Sequence, residues 1–183
     1  MKNIFIILYL LTSITTYSQL EKPELVIATE RVEPGIIFIF EGAIKDNIFP
    51  ASMHLSENET NIHIEARVNW DTVNTPEGTP SGGFIPYLYI SAQVKNQKTG
   101  LSTFIDLLPH INLIDNFHYA RNISLPGSVD DNYSVNFNII APSGTDLALH
   151  MDWFKSYGNE LLENKKFSYD NINFSEVAKA SRN

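Results

Sequence analysis

The chain has 183 residues, no cysteine and a formal net charge of −8 at pH 7. An acidic protein of this kind is a poor partner for nucleic acid or anionic membranes. The lack of cysteine excludes disulfides, thiolate metal sites, iron–sulfur clusters and blue-copper centres, which leaves imidazole and carboxylate as the good ligands for a transition metal.

The N-terminus has the features of a secretory signal. Lys2 supplies a positive charge, residues 4–11 are apolar, and the small residues Thr16 and Ser18 fit a cleavage site. The apolar stretch is shorter than the roughly 20 residues that span a bilayer. The sequence therefore predicts a signal peptide at residues 1–18 and an exported, periplasmic or secreted mature domain at residues 19–183.

Short β-type runs separated by turn signals follow along the mature chain. Strands are predicted over residues 24–30, 35–41, 61–70, 84–96, 101–108, 117–125, 133–141, 147–151 and 166–174. Residues 71–83 are rich in Pro and Gly and predict a loop, and the only predicted helix covers residues 176–181. This alternation favours a single all-β domain, an immunoglobulin-like antiparallel β-sandwich, with a closed barrel as the alternative.

Two potential metal ligands lie on the predicted strand 61–70. His63 and Glu65 are two residues apart and share one face, whereas the aliphatic residues between and around them share the other. The aliphatic face is predicted to pack in the core, so His63 and Glu65 point toward solvent or an interface. Taken alone, this pair is more simply explained as two solvated polar residues.

Three further histidines occur later in the chain, and one, His54, occurs before His63. His110 and His118 flank a connection predicted over residues 111–117, which can bring both imidazoles to one end of the sheet. His150 is predicted to point outward from the short strand 147–151. His54 precedes a polar loop and is a weaker candidate ligand. Each of these residues, taken alone, is more simply explained as a structural or surface side chain.

The order of several short motifs resembles a known family. The motifs are His63-Ile-Glu65-Ala66, Gly83-Phe-Ile-Pro-Tyr-Leu88, Leu107-Leu-Pro-His110, His118-Tyr-Ala-Arg-Asn-Ile123 and the late His150. Over residues 36–174 this order resembles the periplasmic iron-transport proteins, which are copper-binding iron-uptake proteins that accompany Ftr-type inner-membrane iron permeases.

The resemblance implies a metal site, a fold and partners. The implied ligands are His63, Glu65, His110, His118 and His150. The family has a methionine where this chain has His110, and the interval to His118 is one residue longer here. Ligation by four nitrogens and one oxygen suits Cu(II), Ni(II) or Zn(II) better than Cu(I). The resemblance also implies an immunoglobulin-like sandwich, a homodimer, and handling of Fe(II) or Fe(III) for a permease.

Three functions remain open at the level of sequence. The first is a non-enzymatic, exported metal-binding protein of iron uptake. The second is a copper/zinc β-sandwich oxidoreductase, for example one that disproportionates superoxide, although the chain lacks a dense H-x-H strand. The third is a metal-free adhesion or carbohydrate-binding module, for which Trp70, Tyr87 and Tyr89 would supply the contacts.

Overall fold

Alternating apolar residues form eight strands in residues 24–182, the part of the chain that the computed structural model describes. The strands are β1 (Leu25–Val32), β2 (Ile36–Ala43), β3 (Ile62–Trp70), β4 (Tyr89–Asn96), β5 (Ser102–Asn112), β6 (Asn116–Ile123), β7 (Asn132–Ile140) and β8 (Lys165–Asn173). The predicted signal peptide at residues 1–18 lies outside the described residues.

The strands are all antiparallel and follow the spatial order β1-β2-β3-β6-β5-β4-β7-β8. Strand β5 joins two layers, because its first half pairs with β4 and its second half, from Leu108 on, pairs with β6. At the outer edges, Tyr169 of β8 donates a hydrogen bond to Glu30 of β1 at 2.9 Å. The predicted all-β, antiparallel, single-domain fold is confirmed.

The core lies between the two layers. The predicted core residues of β3 are completely buried, as the alternation of that strand requires; these are Ile62, Ile64, Ala66 and Val68. Phe40 of β2 stacks on Phe137 of β7 with ring centroids 4.1 Å apart. Burial of a large apolar side chain contributes about 1.5–3 kcal/mol, so this face of each strand holds the layers together.

Two short α-helices, α1 (Met151–Tyr157) and α2 (Ser175–Lys179), accompany the strands in the described residues. Helix α2 was predicted within a few residues, but the strand predicted over residues 147–151 is wrong. Trp153 and Tyr157 lie four residues apart, on one helical face, and their rings pack 4.8 Å apart. Gly158, at φ 90°, then ends the helix. No helix in residues 24–182 is long and apolar enough to cross a membrane.

One loop matters for the site. Residues 44–60, which contain two 3-10 turns, connect β2 to β3 and are called here the covering segment.

The predicted strand 84–96 begins only at Tyr89, since Pro86 lacks a backbone donor and Tyr87 has a positive φ of 66°.

Candidate metal centre

His63 and Glu65 lie side by side on the outer face of β3, where both are buried. Their exposed fractions are 3% and 4%. The covering segment lies over this face, since Asn122 Nδ2 donates hydrogen bonds to the carbonyl oxygens of Asp46 and Leu55 at 2.8 and 2.9 Å. The interpretation of His63 and Glu65 as solvated polar residues is therefore wrong, because both side chains are buried and the covering segment is linked to His63 through Asn122.

His110 and His118 face each other across the β5–β6 hairpin. They are direct cross-strand partners, and such partners point to the same face of a sheet. Both imidazoles therefore reach the face that carries His63. The predicted boundaries need correction, because β5 continues to Asn112 and β6 begins at Asn116. Only residues 113–115 connect the two strands, so both histidines lie on strands.

Three imidazoles converge on this face. Each of three histidines offers one ring nitrogen, and the three nitrogens lie within 4.8 Å of one another. These residues, His63, His110 and His118, are called here the histidine cluster. The ring centroids are 5.3, 6.1 and 5.8 Å apart. Metal–nitrogen bonds of about 2.0 Å place the centroids of two imidazoles on one ion roughly 4.5 to 6.3 Å apart, depending on the bond angle. The cluster therefore has the spacing of a three-histidine metal site.

Hydrogen bonds on the far side of two rings determine which nitrogens are free. His63 Nδ1 lies 2.8 Å from Asn122 Oδ1. Because the Asn122 amide nitrogen already donates to two carbonyls, the imidazole is the donor in this contact. His118 Nδ1 donates to the carbonyl oxygen of Asn116 at 3.1 Å. Both rings therefore keep an unprotonated Nε2, which is the lone pair that a metal ion requires.

His110 differs, because neither of its buried ring nitrogens has a hydrogen-bond partner within residues 24–182. Leaving a buried polar atom unpaired costs about 1–3 kcal/mol, and few such atoms occur in native proteins. A cation held between His110 and the other two imidazoles would supply the missing partner. The donor set of the cluster thus fits a metal ion.

Glu65 adds an oxygen donor beside two of these nitrogens. Its Oε2 lies 3.6 Å from His118 Nε2 and 3.9 Å from His63 Nε2. Burial, together with the nearby carboxylates of Glu41 and Asp115, raises the pKa of Glu65 to about 8. Glu65 is therefore mostly protonated at neutral pH, and it must lose this proton before its carboxylate can bind a cation.

The imidazoles of the cluster are neutral at the same pH. Burial lowers the pKa of His63 to about 4 and the pKa of His110 to about 3, and it lowers the pKa of His118 as well. The neutral imidazole is the form that binds a metal. A cation entering at neutral pH therefore displaces a proton from Glu65 and none from the histidines.

The buried Glu41 and the partly exposed Arg67 form an ion pair beside Glu65 that sequence analysis did not identify. Glu41 is 1% exposed and is the cross-strand partner of Glu65. Arg67 donates two hydrogen bonds of 2.6 Å to the Glu41 carboxylate. Arg67 therefore offsets the charge of Glu41, while Glu65 remains available to the cluster. The sequence signal was the alternation of β3, which places Arg67 on the face of His63.

Asn122 was also missed as a functional residue. It lies on β6, 2% exposed, and links His63 to the covering segment. Its position four residues after His118 puts both side chains on the same face of the strand. That spacing was visible in the motif His118-Tyr-Ala-Arg-Asn122, in which only the histidine was considered a site residue.

His150 is not part of the cluster within one chain. It is exposed and directly precedes α1, whose Trp153 packs against Trp70 with ring centroids 6.2 Å apart. Trp70 ends β3, seven residues after His63, which is about 23 Å along a strand. A contribution of His150 to the site therefore requires a second copy of the chain.

The cluster opens into a pocket of about 460 Å³ between the covering segment and the β5–β6 hairpin. His54 and Met53 of the covering segment line the pocket, and the ring of His54 lies 5.0 Å from that of His110. Phe49 also lines it and is 93% exposed. The pocket thus combines imidazole nitrogens inside with apolar side chains at its mouth.

Comparison with known proteins gives a consistent result. Residues 21–175 match the profile of a family described as Fe2+ transport protein. A copper-bound variant of Campylobacter jejuni P19 is 26% identical, with a TM-score of 0.68 over 81% of this chain and 96% of the other. A copper-bound variant of FetP from uropathogenic Escherichia coli strain F11 shares the fold at 22% identity, with a TM-score of 0.68 over 84% and 99% of the two chains.

A curated relative is matched over part of its length. The 34 kDa membrane antigen of Treponema pallidum (strain Nichols) is 30% identical over 97 residues, which is 53% of this chain and 47% of the antigen. The chain thus spans about half the length of this relative.

Proposed function

The chain belongs to the Fe2+ transport protein family, and from this premise we propose that it binds copper at the histidine cluster and takes part in iron uptake. The proposed ligands within one chain are His63, Glu65, His110 and His118. The protein acts as a metal-binding transport component and turns over no organic substrate. Relatives of the same fold have been obtained with copper bound.

The observation that carries this proposal is the set of free nitrogens in the cluster. His63 and His118 present unprotonated Nε2 atoms because their Nδ1 atoms donate elsewhere. His110 has buried nitrogens without a hydrogen-bond partner in the described residues. A merely structural histidine cluster would pair these nitrogens with carbonyls or hydroxyls.

Cu(II) is the cation that this donor set favours. The chain offers imidazole nitrogen and one carboxylate oxygen, with no thiolate. Affinity for such sites rises along the first transition series to a maximum at Cu(II). We propose that Fe(II) or Fe(III), the transported ion, binds at or near the same site before transfer to an inner-membrane permease, with the mature protein located in the periplasm.

A homodimer would give His150 a place in the site. Exposed apolar side chains lie on α1 next to His150, among them Met151 at 64% and Phe154 at 51% exposure. A second apolar group adjoins the pocket, where Leu113 and Ile114 at the hairpin tip are 105% and 82% exposed. A two-fold dimer that packs α1 of one copy on the hairpin tip of the other would cover both groups and bring His150 to the partner's cluster.

Calorimetric titration of Cu(II) into the tag-free apo-protein tests the proposal. We expect one high-affinity site per chain, and at least about a hundredfold weaker binding in His63→Ala and in His118→Ala. Glu33→Ala, which removes a carboxylate that is 83% exposed at its side chain, serves as the control and should bind as the wild type does. Unchanged affinity in both histidine variants would refute the site.

Iron and dimerisation have separate tests. Anomalous-scattering maps at the copper and iron edges, from crystals soaked with each ion, should place both ions within the pocket. Analytical ultracentrifugation should detect a dimer, and His150→Ala should weaken copper binding only at concentrations where the dimer forms.

The two rival functions have less support. An oxidoreductase shares the ligand types, and a steady-state superoxide assay on the copper-loaded protein distinguishes it by substantial turnover. A carbohydrate-binding surface would need Trp70 to be accessible, but Trp70 is 9% exposed and packs on Trp153.

A further inference from the structure

His54 lies in the same pocket as the histidine cluster. Like His110, it has a buried ring nitrogen, here Nδ1, without a hydrogen-bond partner in the described residues. Its ring lies 5.0 Å from that of His110, which is within the roughly 4.5 to 6.3 Å range of two imidazoles on one metal ion. His54 and His110 are therefore neighbours with buried ring nitrogens that lack a hydrogen-bond partner in the described residues. A metal cation can accept the lone pairs of several such nitrogens at once.

Asn122 connects the backbone beside His54 to the cluster. Its Oδ1 accepts the hydrogen bond from His63, and its Nδ2 donates to the carbonyl oxygens of Asp46 and Leu55. Leu55 directly follows His54 in the chain. The same amide group thus orients one ligand of the cluster and holds the covering segment next to His54.

We propose that His54 is a metal ligand, so that one chain supplies four imidazoles to Cu(II), those of His54 and of the histidine cluster. This rests on the proposed function, because it adds a ligand to the same site. The covering segment is then part of the metal site, since it supplies a ligand as well as lying beside His63.

Coordination by His54 requires the covering segment to move inward. In the structure His54 lies against His110, outside the group of nitrogens that are within 4.8 Å of one another. The turn that precedes His54 ends at Met53, which is 53% exposed, and Phe49 before the turn is 93% exposed, so neither side chain is packed in the core. The segment then closes over the ion between Asp46 and Leu55, the two points at which Asn122 holds its backbone. Cu(II) favours a set of four nitrogens in a tetragonal arrangement.

Pulsed electron paramagnetic resonance on the full mature chain, loaded with one equivalent of Cu(II), tests this assignment by counting the imidazoles bound to the ion. His54→Gln should show one imidazole fewer than the wild type. Its Cu(II) affinity, measured by competition with a chelator, should be weaker by at least about tenfold. Even the loss of a residue that only hydrogen-bonds a metal ligand costs about 10–100-fold in metal affinity. Ser52→Ala changes an exposed residue of the same segment and should match the wild type in both measurements.

Hydrogen exchange supplies a second measurement. Cu(II) should slow the exchange of backbone amides in residues 46–55 of the wild type, and it should do so much less in His54→Gln. Equal slowing in both proteins would mean that His54 does not draw the segment to the metal, and would overturn the proposal.

The outcomes separate this proposal from the one on which it rests. An unchanged imidazole count in His54→Gln, with a reduced count in His118→Ala, would remove His54 from the ligand set and leave the proposed function intact. Weaker affinity with an unchanged count would make His54 a residue that positions His110, and would equally overturn its assignment as a ligand. A wild-type protein that binds no Cu(II) would refute both.

Discussion

Binding of Cu(II) at pH 7 should release about one proton from the protein, and that proton should come from Glu65. Burial among other carboxylates raises the pKa of Glu65 to about 8, so about 0.9 of the carboxyl groups are protonated at pH 7. The pKa of His63 is lowered to about 4 and that of His110 to about 3, and burial lowers the pKa of His118 as well, so the histidines release almost no proton at pH 7. Copper affinity should therefore rise about tenfold per pH unit from pH 5 to pH 7 and level off above pH 8.

Calorimetry in three buffers of different ionisation enthalpy measures the number of protons released. The wild type should release about 0.9 proton at pH 7 and about 0.1 proton at pH 9, as expected for a single group with a pKa near 8. Glu65→Gln carries no titratable proton at this position, so it should release close to none and lose most of the dependence of affinity on pH. Glu33→Gln changes an exposed carboxylate and should behave as the wild type.

Two results would contradict this reasoning. Proton release near zero in the wild type at pH 7 would mean that Glu65 is already ionised in the apo-protein. Release that is unchanged in Glu65→Gln would mean that the proton comes from another group, and the oxygen donor would have to be sought elsewhere.

Three further predictions concern the apo-protein and its framework. The pKa of Glu65 in the folded state lies above its ordinary value of 4.5, so the wild type loses stability as the pH rises from 4.5 to 8 and Glu65 ionises in a buried site. In urea unfolding, Glu65→Gln should therefore be more stable than the wild type by about 4 kcal/mol at pH 8 and by little at pH 4.5. Asn122→Ala removes three hydrogen bonds and should cost about 2–4 kcal/mol in the same assay, with copper affinity lower by about 10–100-fold because His63 loses its orienting acceptor. Gly42→Ala would place a methyl group 2.8 Å from the buried ring of Phe174, so thermal unfolding should show a loss of about 1–3 kcal/mol.

The strands and their inward faces were predictable from the sequence. In β3, alternation of aliphatic and polar residues identified the core side, and all four aliphatic residues are completely buried; they are Ile62, Ile64, Ala66 and Val68. Period-2 alternation has this power because successive side chains of a strand point to opposite faces. The same rule put His63 and Glu65 on the other face.

What covers that outer face was not predictable by the same rule. Alternation distinguishes the two faces of a strand but carries no information about a loop from elsewhere in the chain. Residues 44–60 have no periodic pattern, yet they lie beside His63 and bring the ring of His54 to 5.0 Å from that of His110. The burial that shifts the pKa of Glu65 therefore exists only in the folded molecule.

The sequence by itself determined the donor chemistry: an acidic chain without cysteine, with histidines on strands and one carboxylate two residues from the first of them. The tertiary structure alone decided which donors meet. The hairpin register pairs His110 with His118, whereas His150 lies near Trp70 at the opposite end of β3. Strand register and loop path depend on contacts between residues far apart in the chain, and local residue patterns do not encode these distances.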